Sequence, residues 1–260
     1  MLVCRFADVE VQPPPTPKQL RRQRVAVIGA GPSGLVTVKE LLDEGHDVTC
    51  FEKFEDIGGV FLSRPYKGGV YDSTLLTISN YLMVFSDFFP KSGRTGHPRN
   101  YRYWHHSEYF EYLKQYCEHF QLQQRATFYM KTLVTKLQRD AKSNKWLLST
   151  AGDTSGTFEF DAVAVCNGTH QIANIPNFSG QEKSPIQFCH SESYKRAKGD
   201  PRFDGKRVIC VGVGETAADV AGEVADVATA AWISMRRPPH IVPRNAWNLG
   251  KWSGFISTFA

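Results

Sequence analysis

The sequence predicts an α/β fold with two Rossmann-like units, a small antiparallel insert in the first and an incomplete second. Two observations carry this reading. The run Arg24-Val25-Ala26-Val27-Ile28 leads into Gly29-Ala30-Gly31-Pro32-Ser33-Gly34, then into Leu35, Val36, Val38, Leu41 and Leu42 at helical spacing. The same order returns at Arg207–Val211, with Gly212-Val213-Gly214-Glu215-Thr216-Ala217 and then Ala218, Val220, Ala221, Val224 and Val227. Strand, glycine turn and helix in succession form the context that a dinucleotide fingerprint requires.

Residues 1–23 read as an extension ending in the stiff linker Pro13-Pro14-Pro15-Thr16-Pro17. In the first unit, Gly29 permits the tight turn, Gly31 lets a pyrophosphate approach, and Gly34 lets the helix pack on the strand. The helix beginning at Pro32 and Ser33 turns its N–H groups and positive dipole end toward phosphates. A second strand, Val48–Phe51, ends at Glu52, which lies 23 residues after Gly29. A carboxylate near that position accepts hydrogen bonds from ribose hydroxyls and repels a 2′-phosphate, so the site suits FAD or NAD. The plainer alternative is a solvated glutamate beside Lys53.

Gly58 and Gly59, before Val60 and Phe61, again allow a ligand close to the backbone. Residues 64–104 show little periodicity and read as an irregular excursion. Ser107–Phe120 has the spacing of an amphipathic packing helix. Thr127–Tyr129, Leu133–Leu137, Trp146–Ser149 and Thr157–Phe160 predict the antiparallel insert, with a turn at Ser143-Asn144. Asp161–Cys166 reads as a buried strand returning to the main sheet, closed by Asn167-Gly168, and Pro176 and Gly180 mark a connector.

The second unit differs from the first where it matters. Its next strand is Ala230–Ser234, and Arg236 lies 24 residues after Gly212 with Arg237 beside it. No acid stands there. A guanidinium fork matches phosphate oxygens bidentately, as a 2′-phosphate needs. The alternative is an exposed basic turn before Pro238-Pro239. FAD in the first unit and NADPH in the second is the economical assignment, implying a flavoprotein that takes hydride from NADPH. The expected domains are 24–180 for FAD and 181–260 for NADPH, the second inserted into the first.

Composition narrows the alternatives. The net charge of +5 is small and dispersed, so nucleic acid is not an expected partner, and the basic Lys18–Arg24 reads as a solvated flank. The six cysteines form no Cys-x-x-Cys pair and no His-Glu-x-x-His occurs, so no metal site is expected. Buried reduced thiols fit an intracellular, cytoplasmic protein. No apolar run reaches the roughly 18 residues of a membrane span, and Asp8 and Glu10 interrupt any signal-peptide core.

With these motifs in place, residues 24–260 resemble the flavin-containing monooxygenases. Carrying the resemblance are Gly29–Gly34, Gly58-Gly59, Tyr71 through Ser86-Asp87-Phe88, Tyr112-Leu113 to His119-Phe120, Val165–Gly168 and His190–Lys195. The last is similar to the second half of the family motif Phe-x-Gly-x-x-x-His-x-x-x-Tyr. Ser184 and Ile186 stand at its Phe and Gly places. The related Baeyer–Villiger enzymes carry Trp where Tyr194 stands, so Tyr points to oxygenation of a heteroatom. Where the family has an Asn nine residues before Ser-Asp-Phe, this chain has Thr77, with Asn80 three further on. If the stretch is helical the two share a face, and either is the candidate for holding the flavin–oxygen adduct and substrate.

The resemblance implies an FAD site of Gly29, Gly31, Pro32, Ser33, Gly34, Glu52, Lys53, Gly59, Val60, Phe61, Val134, Asn167 and Gly168. For NADPH it implies Gly212, Gly214, Glu215, Thr216, Ser234, Arg236 and Arg237. It further implies that NADPH reduces FAD and that the resulting C4a-hydroperoxyflavin oxygenates an amine or thioether. A homodimer and, in a longer form, an endoplasmic-reticulum membrane anchor are compatible with it. A disulfide reductase of similar architecture would need a redox cysteine pair. The second unit ends short of a full sheet, so a non-catalytic nucleotide-binding fragment is the other reading.

Overall fold

In a computed structural model of the chain, the residues described are 21–63, 69–89, 103–169 and 172–238. The proline linker, residues 64–68 and 90–102 of the excursion, and the aromatic tail with Trp247, Trp252, Phe255 and Phe259 lie outside them. Strand β1 (Arg24–Ile28) is apolar after its exposed Arg24 and buries Val25, Ala26 and Val27. A crossover through helix α1 (Pro32–Asp43) brings the chain to β2 (Asp47–Phe51), paired in parallel with β1. Pro32 opens α1 where its missing N–H costs nothing.

The excursion contains more order than its composition suggests. After a short 3-10 turn at Gly59–Phe61, β3 (Leu75–Ser79) and β4 (Tyr103–His105) pair antiparallel with a register shift, and helix α2 (Asn80–Met83) sits between them. The condition for Thr77 and Asn80 to share a helical face is therefore not met. Thr77 is in an extended strand held by long-range pairing, and Asn80 begins the next helix.

Helix α3 (His106–His119) forms one residue earlier than the spacing predicts, because His105 and Glu108 make a capping box. It is a packing element, as expected. Tyr109, Tyr112, Leu113 and Tyr116 are buried against Trp104, Phe85 and Phe88, and burial pushes the Tyr109 phenol up to about 12. Tyr112 Oη accepts from Phe85 N–H at 2.7 Å and donates to the Phe88 carbonyl at 3.1 Å. Lys39 on α1 reaches Asp87 at 2.8 Å, so the Ser-Asp-Phe stretch is fastened to both helices.

After α4 (Leu122–Arg125) comes β5 (Thr127–Tyr129). Its sequence grouped it with the antiparallel insert. Instead it pairs in parallel with β2, because Glu52 N–H bonds to Tyr129 O at 2.9 Å and extends the β2 ladder. The insert is thus three strands, β6 (Thr132–Arg139), β7 (Trp146–Gly152) and β8 (Gly156–Phe160). Asn144 takes a left-handed conformation in the β6–β7 turn. Strand β9 (Ala162–Val165) returns beside β1, giving the parallel order β5-β2-β1-β9. It is not buried as predicted. As an edge strand among the described residues it leaves Val165 60% exposed.

Beyond the connector, β10 (Arg207–Val211), α5 (Glu215–Ala225) and β11 (Ala230–Ser234) repeat the β1-α1-β2 plan. Among the described residues only one face of this pair is covered, by Val220 and Val224 of α5, and Ile209 and Val211 are 62% and 63% exposed. Cysteine burial is mixed. Cys50 and Cys117 are buried, and burial pushes Cys117 up to about 12, whereas Cys189 is exposed. Among the described residues no helix is long and apolar enough to cross a membrane.

The two glycine turns differ in tightness, which fixes their response to substitution. A Cβ on Gly34 would lie 1.8 Å from the Gly29 carbonyl oxygen, whereas one on Gly214 meets nothing within 4 Å. Gly34→Ala is expected to destabilise by about 3 kcal/mol through overpacking. Gly214→Ala should cost no more than about 1 kcal/mol, as at a helix N-cap. Urea unfolding of the two variants checks the contrast.

Asp161 locks the start of β1 to the insert. Its carboxylate accepts from Arg24 N–H at 2.8 Å and from Lys145, and these partners hold it below the ordinary carboxylate range, Lys145 foremost. A depressed folded value means stability present above the unfolded value of about 4 and lost as pH falls through the folded one. The melting temperature of Asp161→Asn should therefore lie below wild type at pH 7 and converge with it in strong acid.

Candidate functional site

Three backbone segments meet beyond the carboxyl ends of β1, β2 and β9, where parallel sheets bind ligands. Gly29 has φ +103, and a Cβ there would lie 2.5 Å from the Cys166 carbonyl oxygen, so the turn packs directly on the segment leading to Asn167 and Gly168. Cys166 N–H bonds to Ile28 O at 2.9 Å. From the other side, Gly58 N–H bonds to Ala30 O at 2.9 Å, and a Cβ on Gly59 would lie 2.9 Å from Gly31 Cα. Gly31 and Gly59, separate motifs in the sequence, are one backbone-to-backbone contact.

Glu52 sits at the centre. It is 4% exposed, so the solvated-glutamate alternative is not what the fold builds. Oε2 accepts from Ala30 N–H at 2.8 Å and Oε1 from Phe54 N–H at 3.0 Å. The carboxylate thus joins the end of β2 to the first glycine turn. A carboxylate offers about four acceptor positions and these bonds take two, leaving room for hydroxyl donors. Residues of this kind fit a nucleotide with a ribose diol.

The remaining candidates are dispersed around this centre. Pro32 and Ser33 begin α1. Lys53 is exposed and lies over the Phe54 ring, Val60 is exposed, and Phe61 packs edge-on against Tyr109 at 4.6 Å. Val134 is half-buried against Phe51 in the apolar cluster between the main sheet and the insert. Thr77 is half-buried and Asn80 is 3% exposed.

In the second unit Gly212 takes φ +118, and Gly214, Glu215 and Thr216 are exposed at the start of α5. Ser234, Arg236 and Arg237 are exposed at the end of β11 and just beyond it. The positive end of α5 and the two guanidinium groups therefore lie beyond the carboxyl ends of β10 and β11, on the side that binds phosphates in such units. Reading the sequence missed the bonds of Tyr71 to Asp219 and of Ser73 to Glu223. No spacing rule links loop hydroxyls to carboxylates 148 and 150 positions away.

Residues 22–256 match the profile of the flavin-binding monooxygenase-like family. The chain belongs to that family. Over 226 residues it is 37% identical to a 4-hydroxybenzoate brominase (decarboxylating) of Marinomonas mediterranea, covering 86% of this chain and 40% of that protein. Human flavin-containing monooxygenase 5 is 35% identical over 234 residues, with 86% of this chain and 42% of the relative covered. Among solved structures, S-allyl-L-cysteine S-oxygenase from Allium sativum superposes with a TM-score of 0.70 at 28% identity, covering 85% of this chain and 53% of that one. An open crystal structure of cyclohexanone monooxygenase gives 0.65 at 25% identity, covering 85% and 41%. The flavin-binding monooxygenase-like chain described here thus spans about two fifths of these curated relatives.

The geometry around Glu52 predicts a stability effect separate from ligand binding. In Glu52→Gln one amide end must face a backbone N–H, leaving a buried donor without an acceptor. Loss of a charge-assisted bond of this sort costs about 1.5–3 kcal/mol. Denaturant unfolding in the absence of added nucleotide should show that loss. An unchanged midpoint would mean the carboxylate carries no structural role.

Proposed function

We propose that this chain holds FAD against the first glycine turn and NADPH against the second, and forms the dinucleotide-binding part of a flavin-dependent monooxygenase. Residues 24–180 are the FAD unit and 181–260 the NADPH unit in this reading. The observation that carries it is the contrast between two like turns: a buried carboxylate at the end of β2, and exposed Arg236 and Arg237 after β11. A carboxylate accepts from a ribose diol and repels a phosphate, whereas a guanidinium does the reverse.

Bound FAD, reduced by NADPH, would supply the oxygen-activating chemistry that such an enzyme needs. The chain's part is to bind, orient and exclude. Gly31 and Gly59 leave the backbone bare where a pyrophosphate would approach, and the α1 N-terminus points its amides there. Asn167, packed on Gly29 and followed by Gly168, would close the opposite wall. Thr77 and Asn80 are the candidates for holding oxygen and substrate at the flavin. Proposed substrates are small molecules with a soft nitrogen or sulfur, and Tyr194 at the motif position favours them over ketones. The brominase among the relatives adds a second reading, in which the soft nucleophile is bromide.

Purified protein should be yellow, with the absorption spectrum of oxidised flavin. Replacing both Arg236 and Arg237 with Ala should weaken NADPH by about ten- to hundred-fold, the worth of one charge-assisted phosphate contact, and leave NADH nearly unchanged. Titration of each nucleotide against the pure protein reads this out. Equal losses for both would overturn the NADPH assignment. Product analysis with a tertiary amine, a thioether and bromide separates the substrate readings.

A further inference from the structure

The loop before β3 makes contacts that neither nucleotide site calls for. Residues 69–74 follow the Gly59–Phe61 turn and bond to the first unit on one side. Val70 N–H donates to Val60 O at 3.1 Å, His106 N–H donates to Thr74 O at 3.0 Å, and His105 Nε2 lies 2.7 Å from Asp72 O. On the other side the same residues bond to α5 and the connector. The Tyr71 hydroxyl donates to Asp219, the Ser73 hydroxyl to Glu223, and the Tyr194 hydroxyl also to Glu223. Asp72 N–H donates to Lys195 O and Lys195 Nζ to Val70 O, both at 2.9 Å, and Arg196 pairs with the Asp72 carboxylate at 2.6 Å.

Asp219 and Glu223 are one helical turn apart and so share a face of α5. Between them and the loop, the Tyr71 and Tyr194 rings meet edge-on at 5.8 Å, within an apolar cluster that includes Phe203 and Val224. Burial, with the carboxylates adding to it, raises both phenols, so they remain donors at neutral pH. Asp219 is only about 6 Å along the helix from Glu215, at 1.5 Å per residue. The loop is therefore tied at one end to the segment proposed to hold FAD, and at the other to the helix proposed to hold the NADPH pyrophosphate.

We propose that Asp219 and Glu223, bonded through Tyr71, Ser73 and Tyr194, are positioning residues that set the second glycine turn against the Gly59–Phe61 segment and so register nicotinamide on flavin. The inference rests on the nucleotide assignment above. Neither carboxylate needs to touch a cofactor. Hydride transfer is steep in distance, and misplacement of about 1 Å can cost on the order of a hundred-fold in rate. A latch this close to the helix start controls displacements of that size.

The test uses the full chain with FAD and NADPH and two readouts: anaerobic flavin reduction at saturating NADPH, and amide hydrogen exchange. Asp219→Ala is expected to slow reduction at least about ten-fold, with FAD content and NADP+ affinity little changed. Exchange should rise in both 70–74 and 58–61. Tyr71→Phe, which removes one oxygen from a residue that otherwise packs as before, should reproduce the effect. Asp219→Asn keeps an acceptor and should recover most of the rate. An unchanged rate in Asp219→Ala overturns the proposal. So does a parallel loss of NADP+ affinity that Asn does not rescue, because that marks general loosening of α5. If the wild-type chain takes up no FAD, the nucleotide reading has failed and exchange alone judges the latch. A rise in both segments upholds it, and a change confined to 215–225 overturns it.

Discussion

The first unit depends on backbone lying directly on backbone. Gly34 meets the Gly29 carbonyl, Gly29 meets that of Cys166, and Gly31 meets Gly59, each at a separation where a side chain would intervene. Because no Cβ stands between them, three chain segments can end within a few ångströms of one another. The bonds Gly58 N–H to Ala30 O and Cys166 N–H to Ile28 O then become possible. Any ligand-binding property of the first unit follows from that closeness, since bare amides at a helix start are what an anionic phosphate requires.

Glu52 adds an electrostatic constraint to this steric one. Few carboxylates are so deeply buried unless their oxygens are satisfied. Here each oxygen accepts from one backbone amide, of the glycine turn and of Phe54, and the residue's own backbone is bound to Tyr129 and Thr132. The residue that would read the ribose thus also holds the turn that would read the pyrophosphate. One side chain couples both parts of the recognition, so its substitution acts on fold and ligand together.

The second unit is built on the same plan with less enclosure. Its glycine turn has open space where the first has contacts, and one face of β10–β11 carries exposed Ile209, Val211 and Trp232. Beside the apolar packing of Tyr71 and Tyr194, a set of hydroxyl-to-carboxylate bonds on one face of α5 ties it to the first unit. Such bonds are directional, so they specify orientation more than they add stability. Relatives that the chain resembles include an S-oxygenase, a cyclohexanone monooxygenase and a brominase. Shared dinucleotide architecture with divergent chemistry places substrate choice elsewhere than in the glycine turns.

By itself the sequence determined the two strand–glycine–helix units, the place of Glu52 at a strand end, the packing face of α3 and the presence of an antiparallel insert, to which it added one strand too many. Each rests on local periodicity, on a glycine pattern or on spacing along one supersecondary unit. Tertiary structure decided what depends on partners far along the chain. The parallel pairing of β5 with β2, the exposure of β9 at the sheet edge and the strand conformation of Thr77 are settled by ladder bonds to distant residues. The double use of the Glu52 carboxylate and the approach of Tyr71 to Asp219 are likewise invisible in one dimension. A hydrogen bond's partner is set by where the backbone carries the donor, and over such separations no residue pattern encodes that position.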